Sequence, residues 1–111
     1  MNLKTETLGA ATILCASGNL DAAGAPGFEE QGRNLLRGGA QRLVLDLAGV
    51  EYISSAGLRS LLVLAKTAKA AGGAMALCGL APAVRETMTI SGFDHILTLA
   101  ADRAAALDLL K

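Results

Sequence analysis

Short apolar stretches of strand length alternate with helical patterns along this chain, and this alternation restricts its fold most strongly. The clearest example lies mid-chain, where residues 42–47 are nearly all apolar, as in a strand covered on both faces. Residues 56–71 follow with apolar side chains spaced three and four apart, which indicates a helix with one buried face. This stripe consists of Leu58, Leu61, Leu62, Ala65 and Ala68. Gly72 and Gly73 end the helix, and a second apolar strand follows at residues 74–78.

The rest of the chain extends this alternation to the order β-β-α-β-α-β-α-β-α. The expected strands are residues 2–7, 11–17, 42–47, 74–78 and 96–99, with the turn pair Gly18-Asn19 after the second. The expected helices begin after Asp21, near residue 56, at Pro82 and after Asp102. Right-handed crossovers would place the later strands parallel in one sheet. We therefore expect one α/β domain over residues 1–111, with a mixed sheet of about four to five strands and about four helices.

Individual residues in these helices lead to narrower expectations. Asp21 follows a turn and precedes a helix, so we expect it to act as an N-cap. That first helix is a poor one by propensity, because it contains several glycines. Phe28, Leu35 and Leu36 would nevertheless share one face. Gly92 is suited to end the helix that starts at Pro82.

Charge and composition exclude several classes of function. Ten basic and ten acidic residues cancel, and aromatic residues are few, so neither nucleic-acid binding nor electrostatic attachment to a membrane is expected. The start of the chain has no apolar core of a signal peptide, and no apolar run reaches the ~18 residues that span a bilayer. We therefore expect a cytoplasmic protein. Cys15 and Cys78 lie in apolar strands and are expected to be buried small hydrophobic residues.

The sequence offers little material for catalysis. The single histidine, His95, lacks a partner at metal-ligand spacing and is expected at the surface, at the mouth of a strand. The chain contains neither a phosphate-binding glycine loop nor a Gly-x-Ser-x-Gly elbow. Asp46 interrupts an apolar strand and is expected at its solvent-facing end. These observations predict a protein that is not an enzyme and has no cofactor or metal.

The junction between the apolar strand and the best helix carries the most information about function. Ser54 and Ser55 fall where the first free N–H groups of that helix point to solvent. One of these serines is expected to be the N-cap. A phosphate at this position would meet the positive end of the helix dipole, so phosphorylation could occur without unfolding the domain.

The motifs of the chain resemble those of the STAS family, and in particular its stand-alone anti-sigma factor antagonists. Gly18-Asn19-Leu20-Asp21 is similar to the Gly-x-Leu-Asp turn of that family, and residues 44–58 match its signature. The later landmarks are Gly72-Gly73, Pro82-Ala83-Val84 and Ser91-Gly92. The resemblance implies the STAS fold and a partner-switching regulator. Its unphosphorylated form would bind an anti-sigma factor serine kinase of the histidine-kinase-like ATPase type, and a PP2C-type serine phosphatase would reverse the phosphorylation.

The same resemblance implies the functional residues. Ser55 takes the position of the phosphoacceptor, and Ser54 is the second choice. The residues in or beside the docking surface would be Asp21, Ser54, Ser55, Ala56, Gly57 and Arg59. The chain departs from the family pattern at Ser54, where the family often has Asp, and this bears on which kinase acts and how efficiently.

Two other functions stay open at the level of sequence. STAS-like domains also serve as constitutive scaffold subunits of lipid-transport or stress-sensing complexes, in which the same helix docks permanently. A small enzyme is disfavoured because the chain lacks paired acid and base groups.

Overall fold

A computed structural model describes residues 1–110, which form a five-stranded sheet flanked by four α-helices. The strands are β1 Asn2–Leu8, β2 Ala11–Leu20, β3 Arg42–Ile53, β4 Ala74–Cys78 and β5 Leu99–Ala100. The helices are α1 Ala25–Arg37, α2 Ser55–Ala70, α3 Pro82–Ser91 and α4 Arg103–Leu109, with a short 3-10 helix at Phe93–His95. The predicted α/β class and order of elements are confirmed.

The strands lie in the sheet in the order in which they occur along the chain. Strand β1 is antiparallel to β2, whereas β2, β3, β4 and β5 are parallel to one another. Leu14, Leu45 and Leu77 are aligned across the three central strands. The carboxyl ends of β2 and β3 therefore meet at one edge of the sheet, where α1 and α2 begin.

The two faces of the sheet are covered unequally. Helices α1, α2 and α3 cover the face that carries the main core, in which Phe28, Leu61 and Met88 are fully buried. The other face has a smaller apolar cluster, and α4 contributes Ala106 and Leu110 to it.

The inward face of α2 is rotated slightly from the predicted stripe. Leu58, Leu61 and Ala68 are buried as expected, but Leu64 is also fully buried whereas Leu62 is only half-buried. Leu64 packs against α1 at Gly32, where an added Cβ would lie 2.7 Å from the Leu64 methyl groups. The glycine that weakens α1 by propensity thus permits its close approach to α2, and packing outweighs propensity.

Strands β2 and β3 run further than predicted. Gly18 and Asn19, expected in a turn, lie within β2 and pair with Val50 and Tyr52 of β3. Register irregularities before Ser17 and before Asn19 accommodate Gly18, whose φ is +103°. The predicted turn is therefore wrong, because pairing with β3 continues the strand.

Asp21 makes the hydrogen bonds of a capping residue, but one turn before the start of α1, and the predicted start of the last strand is wrong. Gly24 is the N-cap of α1, and Asp21 instead accepts hydrogen bonds from the amides of Ala23 at 3.1 Å and Gly24 at 3.0 Å. Asp21 thus stabilises the turn before the helix. Strand β5 begins at Leu99 instead of residue 96, because the chain first forms the 3-10 helix and leaves Ile96 exposed.

Candidate functional site

The β3–α2 junction gives its two adjacent serines different roles. The Ser54 amide donates to the Leu20 carbonyl at 3.0 Å, which ties the junction to the end of β2. The Ser54 Oγ accepts from the Gly57 amide at 3.4 Å, so Ser54 is the N-cap of α2 and its side chain is half-buried. One serine caps the helix, as predicted, and that serine is Ser54.

Ser55 is the first residue of α2, and it is exposed. Within residues 1–110 its hydroxyl has no hydrogen-bond partner, in contrast to the Ser54 hydroxyl. The first turn of α2 contains no acidic residue that would repel an added phosphate. The geometry therefore leaves the Ser55 hydroxyl accessible to solvent at the positive end of the helix.

Gly57 lies beneath this surface. A Cβ at this position would overlap with the Leu20 carbonyl oxygen and would lie 2.7 Å from Ile53 Cγ1. Gly57 thus allows the first turn of α2 to lie directly on the ends of β2 and β3. Its contribution to the site is to position Ser54 and Ser55.

An open groove of about 590 Å³ extends from Ser55 between α1 and α2. Ala56, Arg59 and Val63 line it on α2. Glu29 and Arg33 line it on α1 and form an ion pair at 3.3 Å between Arg33 Nη2 and Glu29 Oε2. The groove is therefore lined by both apolar and charged side chains.

The structure brings together most of the residues expected at the site. Ser55, Ala56 and Arg59 share the groove, and Ser54 and Gly57 support it from below. Asp21 lies in the turn next to Ala22, which also lines the groove, but its carboxylate is directed at the amides of that turn.

A polar cluster on the opposite face of the sheet was missed by the sequence analysis. Arg103 at the start of α4 contacts Asp46 Oδ2 through Nε at 2.7 Å, and Glu6 Oε2 through Nη2 at 2.8 Å. Cys15 Sγ donates to Glu6 Oε2 at 3.1 Å and receives a hydrogen bond from Arg103 Nη2 at 2.9 Å. The polar residues Cys15 and Asp46 within apolar strands were the available signal for this cluster. Their common partner, Arg103, is distant from both in sequence.

This cluster perturbs the acid–base properties of its members. Hydrogen bonds from the Cys15 thiol and from Arg103 hold the pKa of Glu6 below its usual value of 4.5. Burial, and then the hydrogen bond to Glu6, raise the pKa of the Cys15 thiol. The prediction that Cys15 is simply a buried hydrophobic residue is thus wrong, because it is half-buried within a polar network.

The other two residues assessed from sequence behave more simply. Cys78 is buried as predicted, and its burial raises the pKa of the thiol to about 11. His95 lies at the surface with its side chain 87% exposed, on the 3-10 helix instead of at the mouth of a strand. In the part of the chain that the structure describes, every helix is too short or too polar to cross a lipid bilayer.

Comparisons with known proteins identify the family to which this chain belongs. The model of the STAS domain family matches residues 2–106, so the chain belongs to the STAS domain family. A relative from Bordetella bronchiseptica strain RB50, named as a candidate anti-sigma factor antagonist, BtrV, is 40% identical over 106 residues. That match covers 96% of this chain and 91% of the relative.

Solved structures share the fold closely. The crystal structure of a candidate anti-sigma factor antagonist from Thermotoga maritima has a TM-score of 0.91 at 21% identity and covers 97% of this chain and 93% of that one. The Bacillus cell fate determinant SpoIIAA in its phosphorylated form has a TM-score of 0.72 at 16% identity, covering 99% of this chain and 100% of that one. Its unphosphorylated form has the same TM-score at 14% identity, covering 97% and 96%. At these identities the likeness concerns the fold alone.

Proposed function

We propose that this protein is an anti-sigma factor antagonist regulated by phosphorylation of Ser55. Its unphosphorylated form binds an anti-sigma factor that is itself a serine kinase of the histidine-kinase-like ATPase type. The kinase phosphorylates Ser55 and thereby ends the binding, and a PP2C-type serine phosphatase restores it. The protein acts by binding, and the nucleotide, metal and catalytic base belong to the kinase.

The observation that carries this proposal is the contrast between the two serines. Ser55 offers an exposed hydroxyl at the start of α2, whereas the Ser54 hydroxyl accepts a hydrogen bond from the Gly57 amide and is half-buried. Phosphorylation of Ser54 would displace the helix cap. Phosphorylation of Ser55 leaves the cap in place, so we assign the phosphoacceptor role to Ser55.

The comparisons support the same reading. The Bordetella relative bears the name of an anti-sigma factor antagonist and is 40% identical over nearly the whole of this chain. SpoIIAA has been solved in both phosphorylated and unphosphorylated forms. A protein with this fold therefore carries phosphate, which supports a phosphorylation switch here.

The loss of binding free energy that such a switch requires is modest. A phosphoserine adds about 1.5 to 2 negative charges at neutral pH. The affinity for a partner falls a hundredfold for a loss of about 2.7 kcal/mol of binding free energy. Desolvation of this charge and its repulsion of acidic groups on the partner are sufficient to supply that loss, without a change of fold.

The experiment is intact-mass spectrometry of the protein after incubation with ATP and each histidine-kinase-like anti-sigma factor of the same genome. We expect the wild-type protein to gain one phosphate and Ser55→Ala to gain none. Ser54→Asn is the matched control, because asparagine retains the capping function but has no hydroxyl to phosphorylate. We expect Ser54→Asn to be phosphorylated as the wild type is.

Two results would contradict the proposal. Phosphate on Ser55→Ala but not on Ser54→Asn would move the acceptor to Ser54. A stable complex in which neither serine is modified would indicate the alternative function, a constitutive scaffold subunit of a lipid-transport or stress-sensing complex.

A further inference from the structure

Arg59 lies near Ser55 and lines the same groove. It lies four residues further along α2, one helical turn away. Helical side chains lean towards the N-terminus of their helix, so the Arg59 side chain leans towards the turn that contains Ser55. Arg59 is exposed, and it forms no ion pair with any of residues 1–110.

The surroundings of Arg59 leave it without a competing anion on its own helix. The first turn of α2 has no acidic residue, and the side chain at the capping position is the neutral hydroxyl of Ser54. Glu29 is the acidic residue that lines the groove, and its carboxylate contacts Arg33 on α1 at 3.3 Å. The groove thus contains two arginines and one glutamate, an excess of one positive charge.

We infer that Arg59 binds the phosphate when Ser55 is phosphorylated, so that the modified serine is held by its own helix. This inference rests on the proposed function and specifies how the switch operates. The order of the pair, with the anion N-terminal and the cation four residues later, is the favourable one in a helix. The planar guanidinium can donate two parallel hydrogen bonds to phosphate oxygens.

This contact would change the docking surface in two ways at once. Phosphorylation turns the excess of one positive charge in the groove into an excess of negative charge. It also engages Arg59, which in the unphosphorylated protein is available to an acidic group of the partner. Arg33 lies across the groove but already contacts Glu29, so it contributes less than Arg59 to binding of the phosphate.

The test is a ³¹P NMR titration of protein in which phosphoserine is incorporated at position 55 during translation. A nearby guanidinium favours the dianionic phosphate and so lowers its second pKa. We expect Arg59→Gln to raise this pKa by about 0.5 to 1 unit relative to the wild-type background. Arg59→Lys, which retains the charge but not the two parallel hydrogen bonds, should give an intermediate value.

Arg85→Gln is the matched control, because Arg85 is an exposed arginine on α3 that does not line the groove. The phosphate pKa in Arg85→Gln should equal that in the phosphoserine protein without a further substitution. The free amides at the start of α2 also lower the phosphate pKa, but they are common to all variants and cancel in the comparison. A ¹⁵N–¹H spectrum of each variant, including the Arg Nε–H signals, verifies folding and follows the guanidinium directly.

The inference is overturned if the second pKa of the phosphate in Arg59→Gln equals that in the phosphoserine protein without a further substitution. It is also overturned if only Arg33→Gln changes this pKa. Because phosphoserine is introduced without a kinase, this result does not depend on whether any kinase recognises Ser55. Failure of the proposed function would be seen in the mass assay, and failure of this inference in the titration.

Discussion

At the scale of single residues, the adjacent Ser54 and Ser55 differ in their hydrogen bonds and in their exposure. Ser54 joins β3 to α2 through its amide, its carbonyl and its side chain. Ser55 makes no side-chain hydrogen bond in the described part of the chain, and its side chain is exposed. Substitutions of the two serines should accordingly affect different properties of the protein.

Ser54→Ala should lower the free energy of unfolding by about 1 kcal/mol, because it removes the cap from α2. Ser54→Asn should leave it nearly unchanged, since asparagine caps helices as well as serine does. Urea denaturation measures both values. If Ser54→Ala were as stable as the wild type, the 3.4 Å contact with the Gly57 amide would not be a stabilising cap.

The cluster around Arg103 is the part of the residue-scale picture that could not be predicted from the sequence. Asp46 was recognised as an anomaly in an apolar strand, but nothing local shows that its partner lies 57 residues later. The same holds for Cys15 and Arg103, which are 88 residues apart. Such contacts depend on which strands become neighbours, and only the tertiary structure determines that.

At the scale of elements, the sequence predicted each helix and strand but was less accurate about where they end. The α2 helix and the βαβ order followed from periodicity that is strong and local. The continuation of β2 through Gly18 did not, because a glycine within a strand is stabilised here by pairing with β3. The start of β5 at Leu99 depends in the same way on pairing with β4.

Helix α4 is attached to the sheet partly by charge, and this attachment should depend on pH. Because the pKa of Glu6 is lowered in the folded protein, the carboxylate stabilises the fold above its usual pKa of 4.5, and this contribution is lost as the pH falls below that value. Glu6→Gln should therefore be less stable than the wild type at neutral pH. It should also lose less stability on acidification.

Denaturant midpoints of the wild type and of Glu6→Gln, measured at about pH 7 and about pH 3, test this expectation. Glu30→Gln is the matched control, because Glu30 is an exposed glutamate on α1 outside this cluster. Its pH dependence should equal that of the wild type. If the denaturant midpoints of Glu6→Gln and of the wild type changed equally between the two pH values, the contacts between Glu6 and Arg103 would not stabilise the fold in solution.

At the scale of the whole molecule, the candidate site lies where the ends of β2 and β3 meet the start of α2. The ends of β2 and β3 and the first turn of α2 are locked together by Leu20, Ile53 and Gly57. The groove and the exposed Ser55 lie on the outer side of this packed junction. The proposed phosphorylation of Ser55 would therefore change the charge of this surface while leaving the packing beneath it in place.

This arrangement leads to a prediction for Ser55→Asp, which adds one negative charge at the exposed start of α2. The melting temperature should change little, and amide chemical shifts should differ only near α2 and the groove, because an acidic residue in the first turn of a helix is compatible with its dipole. Binding to the anti-sigma factor should nevertheless be lost, while the neutral, similarly sized Ser55→Asn should bind. Calorimetric melting, ¹⁵N–¹H spectra and titration with the partner measure the three effects. If shifts instead spread through the sheet to α4, the switch would work by a change of conformation, and a local charge at Ser55 would no longer explain it.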